Sequence, residues 1–201
     1  TLDANVNRRD FCANSALGLS AVLWPRVVHG RPHPGKAALD GQQRMFDPTR
    51  HYPSAEGIVD PKTGHRFFFH YHRPDEFGHF HTFSVDQYGA PVHVAMITIN
   101  DAGRATHLST TNQWVTATRY IPADQMKPFI DGFAMATHAH KDPALVTFIS
   151  ELVDGNRANI LALYVERDRW IERYKKTSAG DPFKDEKHEV LSSMEINGEH
   201  P

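Results

Sequence analysis

Arg66-Phe67-Phe68-Phe69-His70-Tyr71-His72 and His79-Phe80-His81-Thr82-Phe83-Ser84-Val85 flank Arg73-Pro74-Asp75-Glu76-Phe77-Gly78. The two outer segments are dense in aromatic and β-branched residues, which favour a pleated, half-buried surface. The middle segment combines Pro, Asp and Gly, the residues that build turns. Together they predict a β-hairpin. Asp86-Gln87-Tyr88-Gly89 then predicts a second turn. Val92-His93-Val94-Ala95-Met96-Ile97-Thr98-Ile99 is apolar on both faces and predicts a central strand. Asn100-Asp101-Ala102-Gly103 predicts another hairpin, and a fourth strand covers about 105–118.

Helical patterns flank this β region. One helix is expected from about Ala123 to His138. Asp142-Pro143 supplies a cap and a first residue for a second, ending near Gly155. A third is expected from Asn156 to about Lys176, with Glu166, Arg169, Trp170 and Arg173 at helical spacing. Residues 25–50, rich in Pro, Gly and basic side chains, predict an extended connector. Asn7-Arg8-Arg9-Asp10-Phe11 and the apolar run after it predict an amphipathic helix packed on the body, ended by Trp24-Pro25. The same pattern also fits a twin-arginine export signal. The expected class is α+β: an antiparallel meander of about four strands over 50–120, with an N-terminal helix and C-terminal helices packed on it. Residues 1–50 form the helix and connector, 51–176 a single domain, and 177–201 a loose polar tail.

Composition narrows the function classes. The chain has 201 residues and a formal net charge of −2, so it lacks the basic bias that favours nucleic acid or an anionic membrane. Its single cysteine, Cys12, rules out an internal disulfide and a Cys-rich zinc site. No apolar run reaches the roughly 18 residues of a spanning helix. Phosphate-binding, dinucleotide-binding and nucleophile-elbow glycine patterns are missing. Histidine is the outlier, with 14 residues, five of them (His65, His70, His72, His79 and His81) within a 17-residue window.

Alternate residues of a strand share a face. His70 and His72 therefore share one, as do His79 and His81. A turn centred on 73–78 sets His72 opposite His79 and His70 opposite His81, placing all four on one side of the hairpin. Opposed Cβ atoms lie about 4.5–5.5 Å apart, close enough for imidazoles to converge on one ion. Neutral imidazoles suit Fe, Cu, Ni or Zn better than Mg or Ca, and Fe or Cu is expected ahead of Zn or Ni. Burying several titratable rings together is costly unless something organises them. Glu76, in the turn, is the expected acid–base or ligand-orienting group. Asn112 and Trp114, within Thr110-Thr111-Asn112-Gln113-Trp114, are expected to line a substrate pocket. His51 is a possible further ligand, and His107 can approach the cluster. His93 is expected as an ordinary core residue, and His138 and His140 as solvated.

Gly64-x5-His70-x-His72-x3-Glu76 resembles the first half of the cupin metal signature, although Phe83 stands where that pattern has Gly. A second resemblance rests on His51-Tyr52-Pro53, Val59-Asp60, His70-Tyr71-His72-Arg73, Gly78-His79-Phe80-His81-Thr82-Phe83 and Thr110-Thr111-Asn112-x-Trp114-Val115-Thr116. These segments, spanning about residues 50–120, resemble a mainly proteobacterial family of unknown function. The resemblance implies a bacterial source and a single domain for the histidine hairpin and the Asn/Trp strand; it implies no activity.

The functional expectation is a metal-dependent oxidoreductase acting on a small molecule, with His70, His72, His79 and His81 as ligands. A haem enzyme with an axial histidine is one alternative. Others are a non-catalytic metal-carrying or sensing module and a structural domain that dimerises through helices within 143–176. A cytoplasmic location is expected, or a periplasmic one if the twin arginines direct export. A homodimer is allowed; nucleic-acid and membrane partners are not expected.

Overall fold

The computed structural model describes residues 33–44, 50–71 and 77–196, all within the compact unit that begins at Arg31. The helix expected over 7–23 lies outside the described residues, as do His72, Asp75 and Glu76.

Six strands form one antiparallel sheet in sequence order: β1 Ile58–Val59, β2 Arg66–His70, β3 His79–Val85, β4 Pro91–Ile99, β5 Ala105–Thr111 and β6 Val190–Glu195. The helices are α1 Pro34–Arg44, α2 Gln113–Thr116, α3 Lys127–Asp131, α4 Pro143–Gly155 and α5 Arg157–Thr177. The α+β class and the meander therefore hold, with two more strands than expected.

Turn chemistry shapes the meander. Asp86 Oδ1 accepts from the N–H groups of Tyr88 and Ala90 between β3 and β4. Asn100 Oδ1 does the same for Ala102 and Arg104 between β4 and β5. Such side chains replace missing ladder bonds at a tight reversal. Gly103 sits there at φ +80°, and the backbone of α1 rests on it; a Cβ at Gly103 would lie 2.0 Å from Lys36 N.

One face of the sheet is covered by helices. Phe67 and Phe69 of β2, Phe80 of β3, Val94 and Ile97 of β4 and Leu108 of β5 are fully buried in a core that includes residues of α1, α3, α4 and α5. β2 alternates between half-buried and buried positions, whereas every residue of β3 except Val85 is buried. β3 is therefore covered on both faces. That fixes its register, because a one-residue slip would exchange its apolar and histidine sides.

Several expectations change. The connector over 25–50 contains the 11-residue helix α1. The fourth strand ends at Thr111, because Asn112 Oδ1 accepts from Gln113 N and caps the single turn α2. The helix expected over 123–138 is broken into a 3-10 turn at Ala123–Gln125, α3, and a second 3-10 turn at Thr137–Ala139. Long-range polar groups take the backbone between these pieces. His65 Nδ1 lies 3.1 Å from Ala134 N and 3.0 Å from Ala134 O, and Asp60 Oδ2 accepts from Ala136 N at 2.6 Å. The tail over 177–201 contains β6, which pairs with β5 through its backbone and through Ser192–Thr110 and Ser193–Ser109 hydroxyl bonds. Its Val190-Leu191-Ser192-Ser193-Met194-Glu195 pattern is short and polar, as suits an edge strand, and gives little periodic signal. α4 and α5 match expectation, with Asp142 capping Leu145 N at 3.1 Å.

Asp60 is completely buried. Burial opposes its charge, but N–H bonds from Ala136, Thr63 and Lys62 outweigh that and hold the carboxyl well below the usual range. Asp60→Ala would leave three donors without their acceptor. A loss of about 3 kcal/mol is expected, read as a lower urea midpoint with unchanged slope.

Candidate metal centre

The histidine side of the sheet is a ladder of opposed pairs. Arg66 faces Phe83, Phe68 faces His81, and His70 faces His79 across β2 and β3. This register differs by two residues from the expected one, in which His70 faced His81. The even shift preserves side-chain parity, so His70, His79 and His81 still share one side. The shift follows from the opposite face, where Phe69 opposes Phe80 with ring centroids 4.9 Å apart. Just before β3 the backbone passes close to Phe69 at Gly78, where φ is +111° and a Cβ would lie 2.3 Å from the Phe69 ring.

His70, His79 and His81 each present a ring nitrogen, and the three atoms lie within 4.8 Å of one another. His79 and His81 are 1% exposed, and their rings stand edge to face with centroids 4.8 Å apart. His70 is half-buried, with its ring 5.8 Å from that of His79. The described part of the expected ligand set is thus brought together.

A fourth histidine joins it. His93 Nε2 lies 3.2 Å from His81 Nδ1. His93, expected as core, reaches this face through a bulge. Thr82 opposes Ala95, but the next residue, Phe83, opposes His93, so the register shifts there. A regular ladder would set Val94 opposite Phe83 and turn His93 to the helices. Instead Val94 is fully buried in the core. Thr82 Oγ1 bridges the irregularity by donating to Ala95 O and accepting from Ala95 N. No Gly or Pro marks this point, so the strand's sequence carries no local signal for it.

His51 approaches from outside the sheet. Its ring stacks on Phe68 at 3.7 Å and meets the His70 ring edge to face at 5.1 Å. Its Nδ1 lies 2.8 Å from Ala55 O. A carbonyl only accepts, so Nδ1 carries the hydrogen and donates. A cleft of about 510 Å³ opens over this side, lined by His51, Phe68, His70, His81, Trp114 and Glu189 among others. Glu189 lies in the segment expected to be loose, and sequence reading did not single it out.

The other candidates divide between the cleft and the rest of the fold. Trp114 does line the cleft, with Nε1 3.4 Å from His188 O. Asn112 is fully buried and its amide is engaged within the chain, donating to Pro182 O at 2.8 Å and His188 O at 3.0 Å. His107 is exposed, beside Thr106 Oγ1. His140, expected in solvent, turns inward to 3.7 Å from Asp60.

Burial lowers the His81 imidazole well below its ordinary value, and the neighbouring His79, His93, His70 and His51 add to this. Burial, then the Arg167 and His79 charges, push His93 down to about 3. Both rings are therefore neutral near pH 7, the form in which a histidine ligates a metal. In the unfolded chain they would protonate near their ordinary value of 6.5, whereas the folded protein resists. The unfolded state thus gains protons first as pH falls, and stability drops below about pH 6.5. For metal-free protein, the urea midpoint is expected to hold from pH 8 to 7 and fall between pH 6.5 and 5. That window lies above ordinary carboxyl titration. A profile equally flat across both windows would contradict the assignment of buried neutral rings.

No helix among the described residues is long and apolar enough to cross a membrane. Comparison with curated proteins and with solved structures returns no significant match. A family model described as a domain of unknown function (DUF6969) matches residues 30–196, a span that includes the six strands, the five α-helices and the histidine cluster found among the described residues. The chain belongs to this DUF6969 family.

Proposed function

We propose that this chain is a metal-dependent enzyme acting on a small molecule, with His70, His79 and His81 as the ligands of one transition-metal ion. One observation carries the reading: three imidazole nitrogens within 4.8 Å of one another, with His70 and His81 lining a cleft of about 510 Å³. Three histidines can hold an ion while leaving positions for water or substrate, the arrangement of a catalytic site rather than a closed structural one. The cleft falls within the roughly 300–1,000 Å³ range of small-molecule pockets. All-imidazole ligation suits Fe, Cu, Zn or Ni, and Fe or Cu would supply redox chemistry here. Roles for His72 as a further ligand and for Glu76 as an acid–base group belong to the same proposal.

His93 is the positioning residue in this reading. If His81 Nδ1–H donates to His93 Nε2, His81 Nε2 is free to face the ion. Metal-binding histidines are commonly fixed by such a bond through the second ring nitrogen. Tyr164 Oη in turn donates to the His93 carbonyl.

The test is metal analysis and visible spectroscopy on protein without a histidine tag. About one Fe or Cu per chain is expected, lost in the His79→Ala, His81→Ala double variant while circular dichroism stays unchanged. Folded wild-type protein that binds none of Fe, Cu, Zn or Ni after reconstitution would overturn the proposal. A Soret band would replace it with haem binding. His93→Phe is expected to keep the fold and weaken metal affinity by about 10–100-fold, measured by competition with a chelator. Unchanged affinity would remove His93 from the site.

A further inference from the structure

The same ladder that holds the histidines ends in a cation. Arg66, Phe68 and His70 alternate along one side of β2, opposite Phe83, His81 and His79. Successive rungs on one side are about 6.6 Å apart. Arg66 therefore stands one rung beyond the Phe68–His81 pair and two beyond His70–His79. It lines the same cleft as His70, His81 and Trp114. Its guanidinium lies 5.3 Å from the centre of the Phe83 ring, and the half-buried side chain has no ion pair among the described residues. A guanidinium held against an aromatic face, without a carboxylate partner, is set up to receive a planar anion through two parallel N–H bonds.

We propose that the cleft takes a small planar carboxylate. Its carboxylate pairs with Arg66, its body lies against the Phe83 and Trp114 side of the cleft, and its far end reaches the histidine centre. The substrate class rests on the metal-site reading above; the anion subsite itself does not. The length follows from the ladder, since the step from Arg66 to the His81 rung suits a single ring or a short keto acid. The charge follows from the rest of the lining. Exposed Glu56 and half-buried Glu189 also border the cleft. With two carboxylates elsewhere on its lining, the cleft accommodates a monoanion better than a dianionic phosphate. The aromatic lining favours a flat apolar body over a polyhydroxylated one.

The test titrates benzoate, benzyl alcohol and phenyl phosphate into wild-type protein, Arg66→Gln and Arg66→Lys. Binding is followed by calorimetry and Trp fluorescence, on metal-loaded and metal-free samples with metal content measured in each. Wild type should bind benzoate at least tenfold more tightly than benzyl alcohol. Arg66→Gln should abolish that preference while leaving benzyl alcohol binding and metal content unchanged, and Arg66→Lys should recover part of it. Equal binding of benzoate and benzyl alcohol, no binding of either, or a preference that survives in Arg66→Gln would each overturn the proposal. Phenyl phosphate binding tenfold tighter than benzoate would replace the carboxylate with a phosphate. If the protein holds no metal but keeps an Arg66-dependent benzoate preference, the metal reading fails and the anion subsite stands. If it holds metal without that preference, the reverse is true.

Discussion

The bulge between Thr82 and Phe83 governs the layout of this protein. It lets β4 serve two masters, sending Val94 and Ile97 into the helix-covered core and His93 to the opposite side beside His81. The Thr82 hydroxyl makes this possible by bonding both the N–H and the carbonyl of Ala95, groups that a regular ladder would otherwise pair. An unpaired buried peptide group costs about 1–3 kcal/mol, so a hydroxyl placed there decides whether the irregularity is tolerable. Bulges commonly re-aim a side chain beside a site.

β3 is the second consequence. A strand buried on both faces ordinarily carries apolar residues on both. Here one side carries Phe80 and the other His79 and His81, each nearly inaccessible to solvent. Apolar burial cannot repay the desolvation of imidazoles. The rings must hydrogen-bond, remain neutral, or share an ion. Mutual contacts and burial keep His81 and His93 neutral, as ligation requires. Thus the feature that makes the cluster costly to fold also makes it ready to bind metal.

Long-range polar contacts set the rim of the cleft. The carbonyls of Pro182 and His188 accept from Asn112, and Trp114 Nε1 reaches the same His188 carbonyl. These bonds bring the segment before β6 against α2 and so place Glu189 and Trp114 around one opening. Asp60 and His65 do similar work on the helical side, holding the extended backbone of 134–136 that interrupts the expected helix.

Much of this was legible in the sequence. The turn residues around Gly89 and Gly103, the aromatic alternation of 66–70 and 79–85, and the Asp142 cap are local signals, and each specified its element. The shared side of His70, His79 and His81 followed from parity alone, which an even change of register leaves intact. The exact pairing did not, because it depends on how Phe69 and Phe80 pack against helices far along the chain. Nor did the positions of His93, His140 and Glu189. A bulge without Gly or Pro, a helix broken by bonds to residues some 70 positions away, and a polar edge strand that pairs through its backbone have no periodic signature. Residue order determined the four central strands, the class and the histidine-bearing face; tertiary packing decided the two outer strands, the register, the fourth histidine and the walls of the cleft, because those depend on contacts between segments that no local pattern connects.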